Sequence, residues 1–333
     1  MEAIKDQLNL EAITTVFNAQ KENQYLVANA PISERRKILK ALKKAVEVTY
    51  RKAIQEALYK DMGKPVAEVD LTEIYPITSE IKHALSHLNS WTRNQSVSTP
   101  IAFMGSSSYI KYEPKGVCLI ISPWNFPVNL TISPLVSAIA AGNTVIIKPS
   151  EMTPHISKVM KELISSVFEE NEITLIEGAV QTSTDLLSLP FNHIFFTGAP
   201  SIGKIIMSAA AKHLTSVTLE LGGKSPIIVD ETASIKTAAK RIAWGKFVNA
   251  GQVCIAPDYI YVHKSKQDEL VNEFKKVIHT FYGGNANESE SYASIVNSSH
   301  RKRVESLINN AKEEGATISC GGKIGKNCST LSI

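Results

Sequence analysis

With 333 residues, 44% of them hydrophobic, the chain can bury two packed domains, because single cores stop growing near ~250–300 residues. A net charge of +4 with 20% charged residues excludes a disordered polyelectrolyte, and lysines mixed with glutamates form no basic stripe for nucleic acid. No apolar run is long enough to span a bilayer.

Residues 1–12 mix Glu2, Lys5, Asp6 and Glu11 with apolar residues at helical spacing, without the apolar core of a signal peptide. Four cysteines, Cys118, Cys254, Cys320 and Cys328, show no C-x-x-C spacing. They predict neither a metal site nor a disulfide scaffold, and a reduced, cytoplasmic protein is expected. The first hundred residues read as helices. Ile32, Ile38, Leu39, Leu42, Ala45 and Val46 recur every three to four positions, with Ser33 placed as an N-cap, and a second helix covers 72–91. Between 99 and 113, Ile101 and Phe103, then Gly105 to Ser108, then Tyr109, Ile110 and Tyr112 predict a β-hairpin arm.

From residue 117 short apolar strands alternate with helices. Strands are expected over 117–121, 144–147, 174–176, 193–196 and 215–221, and helices over 130–141, 155–168 and 202–213. Strands apolar on both faces indicate a parallel sheet covered on both sides, a Rossmann-like α/β domain whose ligands bind at the carboxyl ends of strands. The alternation restarts with a strand over 227–229, a helix over 235–248 and its buried face Ile235, Ala238, Ala239, Ile242 and Phe247. A strand over 259–263 and a helix over 267–281 follow. The expected domains are 1–219, a nucleotide-binding domain with amino-terminal helices and the arm near 99–113, and 220–333, a second α/β catalytic domain.

Cys254 follows Asn249-Ala-Gly-Gln-Val on a loop between helix and strand, where a thiol is reachable; a lone cysteine is otherwise more often a small buried hydrophobe. Cys118, inside an apolar strand, reads as core. Glu220 ends a strand whose Val217, Leu219 and Leu221 face the other side, and it precedes Gly222 and Gly223. That position suits a general base, though a surface glutamate reads the same way. Asn125 sits in Ser122-Pro-Trp-Asn-Phe-Pro127, where a stiff loop offers its amide to an oxyanion or merely makes a turn. Phe196-Thr197-Gly198 with Ile202-Gly203 is a strand, glycine turn and helix start that suits a phosphate, and Lys148-Pro-Ser-Glu151 suits ribose hydroxyls.

These motifs stand in the same order as in aldehyde dehydrogenases. Ser122 to Pro127, Lys148 to Glu151, Phe196 to Gly198, Leu219-Glu-Leu-Gly-Gly-Lys224 and Gly251-Gln-Val-Cys254 carry the resemblance. Ala256-Pro-Asp-Tyr259 and the short amino-terminal region resemble the class-3 branch. The resemblance implies oxidation of an aldehyde to its acid with NAD, or with NADP. Cys254 would attack the aldehyde carbon, Asn125 and the Cys254 N–H would hold the oxygen, and Glu220 would activate the water that hydrolyses the thioester. Lys148 and Glu151 would face the adenine ribose and Gly198 and Gly203 the pyrophosphate, with Trp124, Ser150, Thr197, Ile202, Leu221 and Gly222 also lining the cofactor. A homodimer is implied for the full-length family.

The family continues through a Glu-x-Phe-Gly-Pro motif that 333 residues do not reach, so the carboxyl-terminal part of the second domain is expected to be missing, with poor dimerisation and turnover. Two further expectations therefore stand beside the hydrolytic enzyme: a catalytically silent fragment, and an acyl-transferring relative that uses coenzyme A, against which Glu220 argues.

Overall fold

The computed structural model describes residues 8–283, 285–324 and 331–332. The start of the expected amino-terminal helix (residues 1–7), and residues 325–330 with Cys328, lie outside the described residues. The chain divides into two units. One takes in the chain to Lys52, then Thr72–Glu151 and Ser157–Glu220; the other takes in Ala53–Leu71, Met152–Ile156 and the chain from Leu221.

In chain order the helices begin with α1 (Leu10–Asn29), α2 (Ile32–Lys44), α3 (Arg51–Met62), the single turn α4 (Val66–Val69) and α5 (Tyr75–Trp91). Leu39 and Leu42 form the buried stripe of α2. Ser33 does not cap it: the helix already starts at Ile32, with Pro31 as the cap residue and no side-chain bond there. Proline's fixed φ is preorganised for a helix start, so the serine falls inside the first turn.

The arm is a hairpin, but its first strand is not where the aromatic pattern put it. β1 (Gln95–Val97) pairs antiparallel with β2 (Ser108–Ile110). Residues Ile101–Phe103 instead form one 3-10 turn, because the Pro100 carbonyl accepts from Phe103 N–H at 2.9 Å.

The first unit is built on five strands: β3 (Val117–Ile121), β4 (Thr144–Lys148), β5 (Ile173–Leu175), β6 (His193–Gly198) and β7 (Ser216–Leu221). Their order is β5-β4-β3-β6-β7, and the pairings β5–β4, β4–β3 and β3–β6 are parallel. Every residue of β3 and β4 is buried, as expected of strands covered on both faces. Helices α6 (Asn129–Ala141), α7 (Pro154–Ser165), α8 (Val180–Leu187) and α9 (Pro200–Ala211) make the connections. α6 ends at Gly142 with φ +90°, and a Cβ there would stand 2.5 Å from the Arg35 guanidinium. That buried guanidinium donates to the Ala28 and Ala140 carbonyls in the last turns of α1 and α6, where cations are favoured.

In the second unit β8 (Ser225–Val229) and β9 (Pro257–Val262) form a parallel pair. α10 (Ile235–Phe247) and α11 (Gln267–Tyr282) pack Ile235, Ala239, Ile242 and Leu270 against Val229. Ala238, expected on the buried face, is only partly buried. α12 (Ser298–Glu313), which the sequence reading did not include, has no fully buried residue but packs Val304 and Ile308 against the cluster around Phe247 and Tyr292. Among the described residues, no helix is long and apolar enough to cross a membrane.

Candidate active site

The strand order reverses at β3. Its connection through α6 leads to β4 on one side, while β6 pairs on the other. Open parallel sheets bind ligands at such a switch point, beyond the carboxyl ends of the strands. The residues there are Ser122 to Asn125 after β3, and Thr197 and Gly198 at the end of β6, with Lys148 to Glu151 after β4. Register therefore gathers three of the expected segments at one end of one sheet.

Each segment is anchored. Ser122 N–H donates to the Lys148 carbonyl at 3.0 Å, tying the loops after β3 and β4 together. On its far side the Trp124–Asn125 loop runs into α6, whose Val128 and Asn129 amides donate to the buried Glu73 carboxylate at 3.1 and 2.8 Å. A carboxylate at a helix start satisfies donors that the helix cannot. Nothing in the local sequence marked Glu73, which lies more than fifty residues upstream. Trp124 and Asn125 are half-buried. The Lys148 ammonium is almost wholly buried and donates to the Pro149 carbonyl at 2.8 Å and to Glu151 at 3.0 Å. A buried charge needs such a partner, and it leaves Glu151, whose side chain is one-third exposed, held at the mouth of the loop. Ser150 is buried, and its carbonyl accepts from Ser157 Oγ at 3.2 Å.

The start of α9 departs from expectation. Pro200 supplies no N–H, and the Ile202 and Gly203 amides both turn back onto the Ala199 carbonyl at 3.0 Å, so they are not the free donors foreseen there. Gly203 is buried and Ile202 half-exposed. Gly198 has a packing reason: a Cβ would meet the Phe196 ring at 2.5 Å. The Ser122 and Thr197 hydroxyls are buried without a hydrogen-bond partner in the protein, and buried polar groups ordinarily have one. Two such hydroxyls at the switch point, beside the Lys148–Glu151 pair, fit the polar, hydroxyl-rich body of a nicotinamide dinucleotide.

Glu220 and Leu221 are exposed at the end of β7. Gly222 follows with open space around its Cα. Gly223, three residues beyond Glu220, donates its N–H to the Cys254 carbonyl at 3.2 Å.

Cys254 is half-buried in the loop between α10 and β9. The chain reaches it through Asn249 (φ 53°, ψ 34°), Ala250 (φ 53°, ψ 31°) and Gly251 (φ 79°), three consecutive left-handed residues. For alanine this conformation costs about 1–2 kcal/mol, and Ala250 is held by burial beside Phe247, Tyr292 and Ile295. The Gln252 side chain braces the turn, donating to the Asn249 and Ser294 carbonyls at 2.9 and 3.0 Å and accepting from Val296 N–H at 3.0 Å. Cys118 is different: burial in β3 pushes its thiol up to about 12, against a small opposing influence of Lys115. It remains protonated and is no nucleophile.

The aldehyde dehydrogenase family profile matches residues 5–330. A 4,4'-diaponeurosporen-aldehyde dehydrogenase of Staphylococcus aureus is 50% identical over 281 residues, 84% of this chain and 61% of the relative. The dimeric NADP-preferring aldehyde dehydrogenase of Rattus norvegicus is 44% identical over 261 residues, 78% of this chain and 58% of the relative. Among solved structures, the substrate-bound state of Staphylococcus aureus AldH aligns with a TM-score of 0.90 at 45% identity, over 96% of this chain and 69% of that one. The chain thus spans about three-fifths of the length of these two curated relatives. A match over nearly its whole length, with the Rossmann-like sheet and the expected motifs in order, means that this chain belongs to the aldehyde dehydrogenase family.

Proposed function

We propose that this chain carries the aldehyde-oxidising centre of its family, with Cys254 as nucleophile and Glu220 as the base for hydrolysis. The observation that carries the reading is the Cys254 turn: a half-buried thiol on a braced, strained loop whose carbonyl is tied to Gly223, just after Glu220. Strain of this kind concentrates at functional sites.

Cys254 Sγ, as thiolate, adds to the aldehyde carbon and forms a thiohemiacetal. The Asn125 amide and the Cys254 N–H donate to its oxygen, and such donors are worth most where charge develops. NAD(P)+, when bound, supplies the hydride acceptor. Cys254 is then left as a thioester. Glu220 takes a proton from water, the hydroxide adds to the thioester carbon, and the C–S bond breaks to release the carboxylic acid and free thiolate. Water and aldehyde are consumed, one hydride is removed, and one proton is released.

In this reading the first unit binds the nucleotide and the second carries the nucleophile. Trp124, Lys148, Ser150, Glu151, Thr197, Gly198, Ile202, Gly203, Leu221 and Gly222 line the cofactor. The Glu151 carboxylate opposes a 2′-phosphate by like charge while its Lys148 partner offsets that charge, so the cofactor is NAD or NADP. The compartment we assign is the cytoplasm, and the homodimer belongs to the full-length family, as in the dimeric rat relative.

The test is aldehyde-dependent reduction of NAD+ by the chain and by Cys254→Ala. Turnover lost in the variant, with nucleotide binding retained, supports the assignment; unchanged turnover overturns it. A rate that rises on adding coenzyme A would move the assignment from hydrolysis to acyl transfer.

A further inference from the structure

The left-handed turn before Cys254 needs outside support. Glycine adopts this backbone freely and asparagine readily, but the Ala250 Cβ opposes it. Conformations of this kind persist only where the surroundings over-determine them. Ala250 burial and the Gln252 braces act from within the turn or beside it. A further support comes from far away in the sequence. Glu68, on the short helix α4, accepts the Asn249 N–H at 2.8 Å through Oε1, across 181 positions. This is a charge-assisted bond on the amide of the first left-handed residue, and such bonds are roughly twice as strong as neutral ones.

Resting on the reading of Cys254 as nucleophile, we infer that Glu68 is a positioning residue: its carboxylate fixes the Asn249 amide and with it the turn that presents the Cys254 thiol. Glu68 does not touch the reacting atoms in this account. Its effect is on where the thiol stands when the aldehyde carbon arrives, and misplacing a reacting group by ~1 Å can cost ~10²-fold in rate.

The experiment compares the 333-residue chain with its Glu68→Ala and Glu68→Gln variants. Hydrogen exchange read on peptides covering 248–254 reports the turn directly and needs no activity. Glu68→Ala should speed exchange at Asn249 by roughly 10–100-fold, the range for losing a hydrogen bond to a charged group. Protection in β8 and β9 should not change, which shows that the unit remains folded. Glu68→Gln keeps an acceptor oxygen but not the charge, so its exchange should fall between parent and alanine, within ~3–10-fold of the parent. In turnover, Glu68→Ala should lower kcat by ~10–100-fold with KM for aldehyde little changed, while iodoacetamide still labels Cys254 at least as fast as in the parent. A merely structural loss would lower protection throughout the unit and would not be rescued by glutamine. Unchanged exchange at Asn249 in Glu68→Ala, or a Glu68→Gln variant as impaired as alanine, overturns the inference. Normal turnover by Cys254→Ala would instead remove the functional reading and leave the exchange result standing.

Discussion

The loops after β3, β4 and β6 emerge from strands that are largely buried and regularly paired, whereas the Cys254 turn leaves α10 through two non-glycine residues at positive φ. In the sheet, each loop is placed by register with its neighbours, and the support is spread over many apolar side chains. In the turn, position depends on a handful of polar bonds from Glu68, Gln252 and Gly223. The first arrangement tolerates the loss of one contact; the second concentrates its dependence on single atoms. A site that must bind a large, extended cofactor can be built from sheet topology alone, but holding one sulfur atom in place calls for local over-determination.

Substitutions in the two regions can break or sharpen this contrast. The largest effect is expected where chemistry is removed without disturbing support. Glu220 is exposed at a strand end, so Glu220→Gln should leave Tm unchanged while slowing aldehyde turnover by ~10²–10⁴-fold, the usual contribution of a general base. Steady-state rates and thermal melts of the variant check this; near-normal turnover would remove Glu220 from the mechanism.

A smaller effect belongs to the sheet side. Glu73→Ala strips the acceptor from the Val128 and Asn129 amides behind the Asn125 loop. Leaving buried donors unmade costs about 1–3 kcal/mol, so denaturant melts should shift by that amount. The contrast would be weakened if this one carboxylate reduced turnover as much as changes in the Cys254 turn do.

The smallest effect is a pH dependence. His193 bridges β6 and β7, its ring nitrogens facing Ser216 Oγ at 2.8 Å and Thr218 Oγ1 at 3.2 Å. Burial first, and the Lys115 charge second, hold it below its ordinary 6.5. The folded chain therefore binds fewer protons than the unfolded chain between that lowered value and 6.5. His193's contribution to stability is present above 6.5 and is lost as pH falls through 6.5 toward the lowered value. Thermal melts at pH 7.5 and 5.5 should show a lower Tm in acid, and His193→Asn should flatten the difference.

The parallel sheet was legible in the sequence because β3 and β4 are apolar on both faces, a pattern with few other structural solutions. The Cys254, Glu220 and Asn125 segments were legible for a different reason: each is a short run next to a helix or strand end. Their supports were not. Glu68 and Glu73 meet Asn249, Val128 and Asn129 only after folding, across 181, 55 and 56 positions, and an exposed glutamate has the same local sequence. The left-handed run at Asn249 and Ala250 was equally hidden, since propensity argues against it at the alanine. The arm's first strand was misplaced because Ile101 and Phe103 were read as strand alternation, whereas Pro100 opens a 3-10 turn there. α12 went unread although Val304, Leu307, Ile308 and Ala311 stand at helical spacing, because its charged residues outnumber that thin stripe.

The proposed chemistry turns on one covalent bond, between an acyl group and Cys254. Mixing the Glu220→Gln chain with an aldehyde and NAD+, quenching, and mapping peptides by mass spectrometry tests it directly. The predicted result is a mass gain equal to the acyl group on the peptide bearing Cys254, absent when either aldehyde or NAD+ is withheld. An adduct on Cys118 or Cys320 instead, or turnover with no adduct on Cys254, would contradict it.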